Sequence, residues 1–446
     1  MDFAKATLEQ LLAEGGHECA CGRRHETGLK RLEIGRGALE RLPETLRGMG
    51  WKKPFLMSDR NTEAAAGARA KALLTQADMP YAALVLDRER LEPDERTLGA
   101  LCMAFDPTCD VVLAVGSGVI NDCCKVLAKC AGKPCAVVAT APSMDGYASD
   151  SASMIQNGMK VSLYIPCPRL IVADTDVLAA APLRALRSGL GDMLAKYVSL
   201  CEWRISRIVT GEYYCENIAG LMRESLRRIR ESADGLLRRE PAAVESVMQG
   251  LALSGVAMSF ARISRPASGL EHYFSHLWEM WMLQGELPYS THGEQVGVGT
   301  CLTLELYDHI RTLVPDREKA LRALAAFSPE KWEADMRTLF GPVADEVLAL
   351  ERGAHKNDPE KVRAHIDALV GHWDEIQQII AQELPPTQEI VELMKRLGMA
   401  YRPEDIGIGH EDTIRAYIGS REIRDKYLTS SMLWELGELD DFRAYL

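Results

Sequence analysis

Along the first third of the chain, short apolar runs alternate with amphipathic stretches. The runs are RLEIG (31–35), PFLMSD (54–59), AALVLD (82–87), VVLAVG (111–116), CAVVAT (135–140) and RLIVAD (169–174). Their length and β-branched content make them strands, and their near-continuous hydrophobicity suits a parallel sheet covered on both faces. Segments between them, such as NTEAAAGARAKALLTQA (61–77), have the composition of covering helices. One stretch breaks the alternation: ASMIQNGMKVSLYIP (152–166) holds Asn157-Gly158, a pair suited to a two-residue turn with positive φ, which predicts a β-hairpin inserted before the last strand.

Beyond about residue 176 the strand signal stops and helical periodicity continues to the C-terminus, as in LRALRSGLGDMLAKYVSLCEW (183–203) and TQEIVELMKRLG (387–398). The pattern predicts a Rossmann-like α/β domain over residues 1–175 and an all-helical domain over 176–446. Within the latter, the charged stretch from about 345 to 385 reads as a solvated helical surface element.

The 446 residues, 47% hydrophobic and 26% charged, suffice for two or three domains with a sizeable core. A net charge of -12 with no basic tract argues against nucleic acid and anionic membrane as partners. The start MDFAKATLEQLLAEGG has no signal-peptide pattern and no window reaches the ~18 apolar residues of a membrane span, so a cytoplasmic location is expected. The 12 cysteines then read as reduced thiols. In GHECACGRRH, His17, Cys19, Cys21 and His25 are near enough to hold a metal. The Cys-x-Cys spacing is not the usual knuckle and no second cysteine pair follows at zinc-finger spacing, so a surface hairpin is the preferred reading.

Three strand ends carry candidate chemistry. Gly116-Ser117-Gly118 ends one strand and opens a helix, where backbone N–H groups and the positive helix end can meet a phosphate. Asp59 closes another, placed either for adenosine ribose hydroxyls or as a helix N-cap. The third opens into APSMDGYASDSASM, rich in hydroxyls, with Asp145 just beyond the sheet. Such ends in register point to a dinucleotide. In the helical part, Asp192 lies in SGLGDMLAKY, His272 and His276 stand four apart in EHYFSHLWEMW, and His292 begins HGEQVGVGT. A carboxylate and two imidazoles suit a catalytic divalent ion, provided the three segments converge.

GSGVINDCCK, TAPSMDGYAS, GLGDMLAKY, the EH-x3-H segment, HGEQVGVGT and SREIRDKY, in this order, resemble the iron-dependent alcohol dehydrogenase, glycerol dehydrogenase and dehydroquinate synthase superfamily from about residue 30 onward. Within it the chain is most similar to the sn-glycerol-1-phosphate dehydrogenases of the AraM type. The resemblance implies a dehydroquinate synthase-like fold and a homo-oligomer. It further implies a metal- and NAD(P)-dependent reduction of dihydroxyacetone phosphate, a phosphorylated triose, to sn-glycerol-1-phosphate.

Carried over by position, it makes Asp192, His272 and His292 the ligands of one divalent metal, zinc first, with nickel or iron also compatible. Gly116, Ser117, Gly118 and Asp122 would hold the cofactor with Asp59 at its ribose, and Thr140, Ser143 and Ser149 on the nicotinamide side. Asp145 would face the substrate hydroxyls, Lys160 or Lys196 its phosphate, and His276 would either relay a proton or play a structural part beside His272. Asp59 favours NAD over NADP, though Arg60 beside it could offset that.

Two departures stand out: Gly-Ser-Gly replaces a triple glycine, and the helical residues near 350–380 have no assigned role. The alternatives are a glycerol or related polyol dehydrogenase, a dehydroquinate-synthase-like lyase, and a non-catalytic NAD-binding protein.

Overall fold

A computed structural model describes residues 1–88 and 90–446. A two-stranded hairpin, β1 (His17–Glu18) and β2 (Arg24–His25), precedes the main sheet. That sheet contains β3 (Arg31–Gly35), β4 (Pro54–Asp59), β5 (Ala82–Leu86), β6 (Val111–Gly116) and β7 (Cys135–Ala139). After the hairpin β8 (Ser151–Gln156) and β9 (Met159–Tyr164), the strand β10 (Leu170–Asp174) completes it. All its pairings are parallel, in the order β3-β10-β7-β6-β4-β5.

The apolar runs become strands because both faces are covered. Leu113, Val115, Val138 and Val172 pack in one cluster with Leu42 and Leu46 and with Leu73 and Leu74 from two covering helices. Burying each such side chain stabilises the fold by about 1.5–3 kcal/mol. The inserted hairpin forms as expected, with Asn157 at φ 52 and Gly158 at φ 78, the left-handed values its turn needs. From β4 the chain moves to β5, and from β6 it moves the opposite way to β7. Ligands of such sheets bind beyond the carboxyl ends at this switch point.

The chain divides into two compact units: residues 1–193 with 215–266, and residues 194–214 with 267–446. The division differs from the sequence boundary at 175/176 because later helices complete the first unit. Helix Pro241–Ala261 lies on the turn Gly146–Ala148 so closely that a Cβ on Gly255 would meet the Ala148 backbone at 2.9 Å. Thr175 donates to Glu245 of the same helix at 2.8 Å. This helix is apolar enough to cross a membrane, with mean hydropathy 1.2, but 83% of the window is buried. It serves as a core helix of the first unit.

In the second, all-helical unit the 345–385 stretch departs from the solvated element expected. Its helices Ala344–Ala354, Pro359–Gly371 and Trp373–Glu383 bury Val347, Leu348, Val362, Ile366 and Ile376 and keep most of their charges outward. The buried His365 is hydrogen-bonded to Glu435 at 2.7 Å. The charges masked an apolar stripe at helical spacing.

The ammonium of Lys356, enclosed there, donates to the carbonyls of Arg421 and Arg424, each at 2.5 Å. Burial pushes its pKa down to about 8. Because this folded-state value lies below the unfolded one, the native chain carries a penalty below pH 8 that disappears as pH rises toward 10.5. Denaturation midpoints of wild type and Lys356→Met should therefore diverge in favour of wild type between pH 7 and pH 10. The full shift is worth at most about 3 kcal/mol; a gap independent of pH would refute this.

Candidate functional site

In the first unit, Gly116-Ser117-Gly118 joins β6 to helix Gly118–Ala131. Ser117 is its N-cap residue, yet the hydroxyl makes no capping bond. The first-turn amides thus keep no side-chain cap, the arrangement that accepts a pyrophosphate. A Cβ on Gly116 would fall 2.6 Å from the Ile120 side chain, so glycine is required there. The N–H of Thr140 donates to the Gly116 carbonyl at 3.2 Å, tying the ends of β7 and β6 together.

Asp59 closes β4 and caps the next helix: its Oδ1 accepts from the Thr62 N–H at 2.8 Å, while the Asp59 N–H donates to Thr62 Oγ1 at 2.9 Å. The cap uses one carboxylate oxygen, so the helix N-cap reading of Asp59 holds in the structure. Arg60 is drawn aside by an ion pair with Asp87.

Two residues assigned to the cofactor are engaged elsewhere. The Asp122 carboxylate accepts from the Ser153 N–H at 3.0 Å and from Asn121 Nδ2 at 3.1 Å, pinning β8 to the helix. Burial raises its pKa, opposed chiefly by Lys125, 3.8 Å away. The buried Ser149 hydroxyl donates to the carbonyls of Gly146 and Ser151. Both are bound into the scaffold because an unsatisfied polar group there would cost about 1–3 kcal/mol.

Lys125, which sequence reasoning missed, organises this region. Its ammonium donates to the carbonyls of Gly146 (2.7 Å), Ser149 (3.1 Å) and Ser151 (2.9 Å). The signal available was a lysine at the end of GSGVINDCCK, on a helix otherwise packed with small and apolar residues.

The turn held by Lys125 follows Asp145, whose N–H donates to Asp192 Oδ2 at 3.0 Å; Asp145 Oδ2 in turn accepts from Ser254 at 2.8 Å. Asp192 rides on helix Leu183–Leu194, which meets the 142–145 segment without any side chain between. A Cβ on Gly189 would come within 2.0 Å of the Pro142 carbonyl oxygen. Ser188 donates to the Ser143 carbonyl at 3.2 Å in the same contact. Lys160 stands half-buried on β9 opposite Ile155.

The second unit brings the three histidines together. His272 and His276 lie on helix Leu270–Leu283 and His292 opens helix His292–Ile310; the His272 and His292 rings are 5.4 Å apart, those of His276 and His292 6.1 Å. The helices approach this closely because Gly299 has no Cβ, which would sit 2.5 Å from the Glu271 carbonyl oxygen.

His272 Nδ1 lies 2.8 Å from Glu271 Oε1, and His292 Nδ1 lies 3.2 Å from Glu279 Oε1 and 3.1 Å from the Ser275 hydroxyl. A carboxylate only accepts, so Nδ1 carries the proton in both rings, and in the neutral ring the lone pair then lies on Nε2. Such carboxylate-oriented imidazoles are characteristic of metal ligands. Glu271, Glu279 and Ser275 were not singled out by the sequence reading. The buried Lys196 donates to the Ala267 carbonyl at 3.1 Å.

Residues 33–182 match the family model for iron-containing alcohol dehydrogenase. A glycerol-1-phosphate dehydrogenase [NAD(P)+] of Bacillus licheniformis is 33% identical over 345 residues, covering 75% of this chain and 85% of the relative. One from Halalkalibacterium halodurans is 34% identical over 294 residues, 65% of this chain and 74% of the relative. The crystal structure of glycerol dehydrogenase from Schizosaccharomyces pombe shares the fold, with TM-score 0.58 and 17% identity over 97% of this chain and 92% of that one.

The contact at Gly189 yields a test. Gly189→Ala should force helix Leu183–Leu194 off the 142–145 segment and lower stability by about 1–3 kcal/mol through overpacking. The readout is the thermal or denaturant midpoint; a midpoint equal to wild type would refute the packing argument.

Proposed function

The chain belongs to the glycerol-1-phosphate dehydrogenase family, and from that premise we propose that it interconverts dihydroxyacetone phosphate and sn-glycerol-1-phosphate by reversible hydride transfer with NAD(P). The observation that carries this reading is the pair of imidazoles oriented at Nδ1 by Glu271 and Glu279, in a chain that covers most of the length of the named dehydrogenases it matches.

Asp192, His272 and His292 are the proposed ligands of one divalent ion, zinc in the first instance, with nickel or iron also accepted by this donor set. When bound, the ion lowers the cost of the negative charge that builds on the carbonyl oxygen during reduction, and the nicotinamide supplies the hydride. The protein's own groups do the rest. The N–H of Asp145 orients the Asp192 carboxylate, while Glu271 and Glu279 fix the orientation of their imidazoles through Nδ1. Asp145, fixed by Ser254, is assigned to the substrate hydroxyls. His276, one turn beyond His272 and with its Nδ1 3.7 Å from Glu279, is assigned to proton transfer.

Lys196 and Lys160 are the proposed phosphate donors, and the 116–118 loop with Thr140 and Ser143 the proposed cofactor contacts. With Arg60 engaged by Asp87, the Asp59 carboxylate disfavours a 2′-phosphate, so NAD is the proposed preference. The proposed setting is cytoplasmic and the proposed assembly a homo-oligomer.

Turnover should be followed as NADH oxidation with dihydroxyacetone phosphate and, in parallel, unphosphorylated dihydroxyacetone, with and without a chelator. The phosphorylated ketone should be reduced the faster, and chelation should abolish the activity. Absence of net NADH consumption with either ketone would reject the assignment. Asp192→Ala should lose metal and turnover together. Glu279→Gln should weaken metal binding roughly 10- to 100-fold, as loss of an outer-shell partner does; an unchanged affinity would contradict the role given to Glu279.

A further inference from the structure

The N-terminal hairpin and a helix far along the chain bring together four potential ligands that the proposed reaction does not use. Cys19, Cys21, His25 and Cys215 offer one ligand atom each, all within 4.8 Å of one another. The composition differs from the set visible in GHECACGRRH. His17 turns away to the Leu11 carbonyl, at 3.2 Å, and Cys215 takes the fourth place from the other side.

We propose that these four residues form a structural zinc site of Cys3His type within the first unit. Its dimensions fit that ion. Zinc–sulfur bonds of ~2.3 Å and zinc–nitrogen bonds of ~2.0–2.1 Å in a tetrahedron imply ligand separations of about 3.8 Å for S···S and about 3.6 Å for S···N. The Cys19 and Cys215 sulfurs are 3.7 Å apart, and Cys215 Sγ lies 3.6 Å from His25 Nε2. Cys21 Sγ is 3.2 Å from the same nitrogen. A disulfide between Cys19 and Cys215 would require sulfurs ~2.05 Å apart.

The groups around the cluster orient it for a cation. Nδ1 of the fully buried His25 lies 2.9 Å from the Phe260 carbonyl, which only accepts. Nδ1 therefore holds the proton and Nε2 presents its lone pair to the sulfurs. Asn217 Nδ2 donates to Cys19 Sγ at 3.2 Å, the outer-shell bond a metal thiolate receives. Cys215 is the N-cap residue of helix Glu216–Leu237 yet makes no capping bond, so its thiol is spared for the cluster. Between Cys19 and Arg23 the chain closes through the Gly22 N–H to the Cys19 carbonyl, 3.0 Å, with Gly22 at φ 81. That positive φ folds Cys21 back toward Cys19.

The ion would fasten the β1–β2 hairpin to the start of helix Glu216–Leu237 and the end of helix Pro241–Ala261. The ligands Cys19 and Cys215 are 196 positions apart. Soft thiolates select zinc at such a site, and a closed four-ligand shell leaves no position for substrate.

Metal content per chain should be measured on the full-length zinc-grown protein, on Cys19→Ser and Cys215→Ser, and on Asp192→Ala. Each cysteine variant should hold one equivalent less than wild type and melt at a lower temperature. Cobalt-loaded wild type should show thiolate-to-cobalt charge-transfer absorption in the near ultraviolet, lost in Cys19→Ser and kept in Asp192→Ala. The aspartate–histidine set has no sulfur, so this band reports on the cysteine cluster alone, whatever becomes of the proposed reaction. The wild-type spectrum also decides the matter should a variant fail to fold. Absence of the band, unchanged metal content in both cysteine variants, or a Cys19–Cys215 disulfide in a peptide mass map would overturn the proposal.

Discussion

The first unit depends on one buried cation. Lys125 is 1% exposed, and an ammonium withdrawn from water must be neutralised by dipoles and charge or it destabilises the fold by several kcal/mol. The chain supplies three carbonyls of the 146–151 turn and the nearby Asp122. Satisfying the lysine therefore fixes the turn, and fixing the turn fixes Asp145 at its start. The Asp145 N–H then has one place to donate, the Asp192 carboxylate. Because Asp122 also holds the Ser153 N–H, the inserted hairpin is locked by the same charge. A scaffold contact and a candidate ligand thus share one electrostatic origin.

The second unit solves a different problem, which is to aim imidazoles. Neutral histidine has two tautomers of similar energy, and only an acceptor at Nδ1 selects the one with a free Nε2. Glu271 and Glu279 make that selection for His272 and His292. Their own helices can approach because Gly299 offers no side chain at the contact with Glu271. Gly299 of HGEQVGVGT thereby has a packing reason that does not involve a ligand.

Much of this was legible in the sequence, and what was not follows a pattern. The six strand runs could be read because a doubly covered parallel strand is apolar throughout, and the hairpin because Asn157-Gly158 demands positive φ. The scaffold bonds of Asp122 and Ser149 were not legible, since a residue type compatible with a cofactor is equally compatible with a buried scaffold bond. Their partners, Ser153 and Lys125, become neighbours only on folding. The first unit's reach into helix Pro241–Ala261 was hidden for the same reason: a core helix reads alike wherever it packs. Cys215 carried no motif of its own, being one cysteine before a helix. The apolar stripe of 345–385 was obscured by the charges interleaved with it.

Charge counting separates the roles of the two ligand clusters. One carboxylate and two neutral imidazoles leave a divalent ion with a net charge of about +1, enough to polarise a carbonyl oxygen. Three thiolates and an imidazole would bring the same ion to about −1 and close its coordination shell, removing both its Lewis acidity and its open position. Half-buried Cys19 and Cys21 can carry such a net charge because water reaches part of the cluster and Asn217 donates to it. The aspartate–histidine set would gain from staying net positive, since the substrates proposed for it are anions. The same element bound at both places would therefore do chemistry at one and hold structure at the other, and it is the sign of the residual charge that decides which.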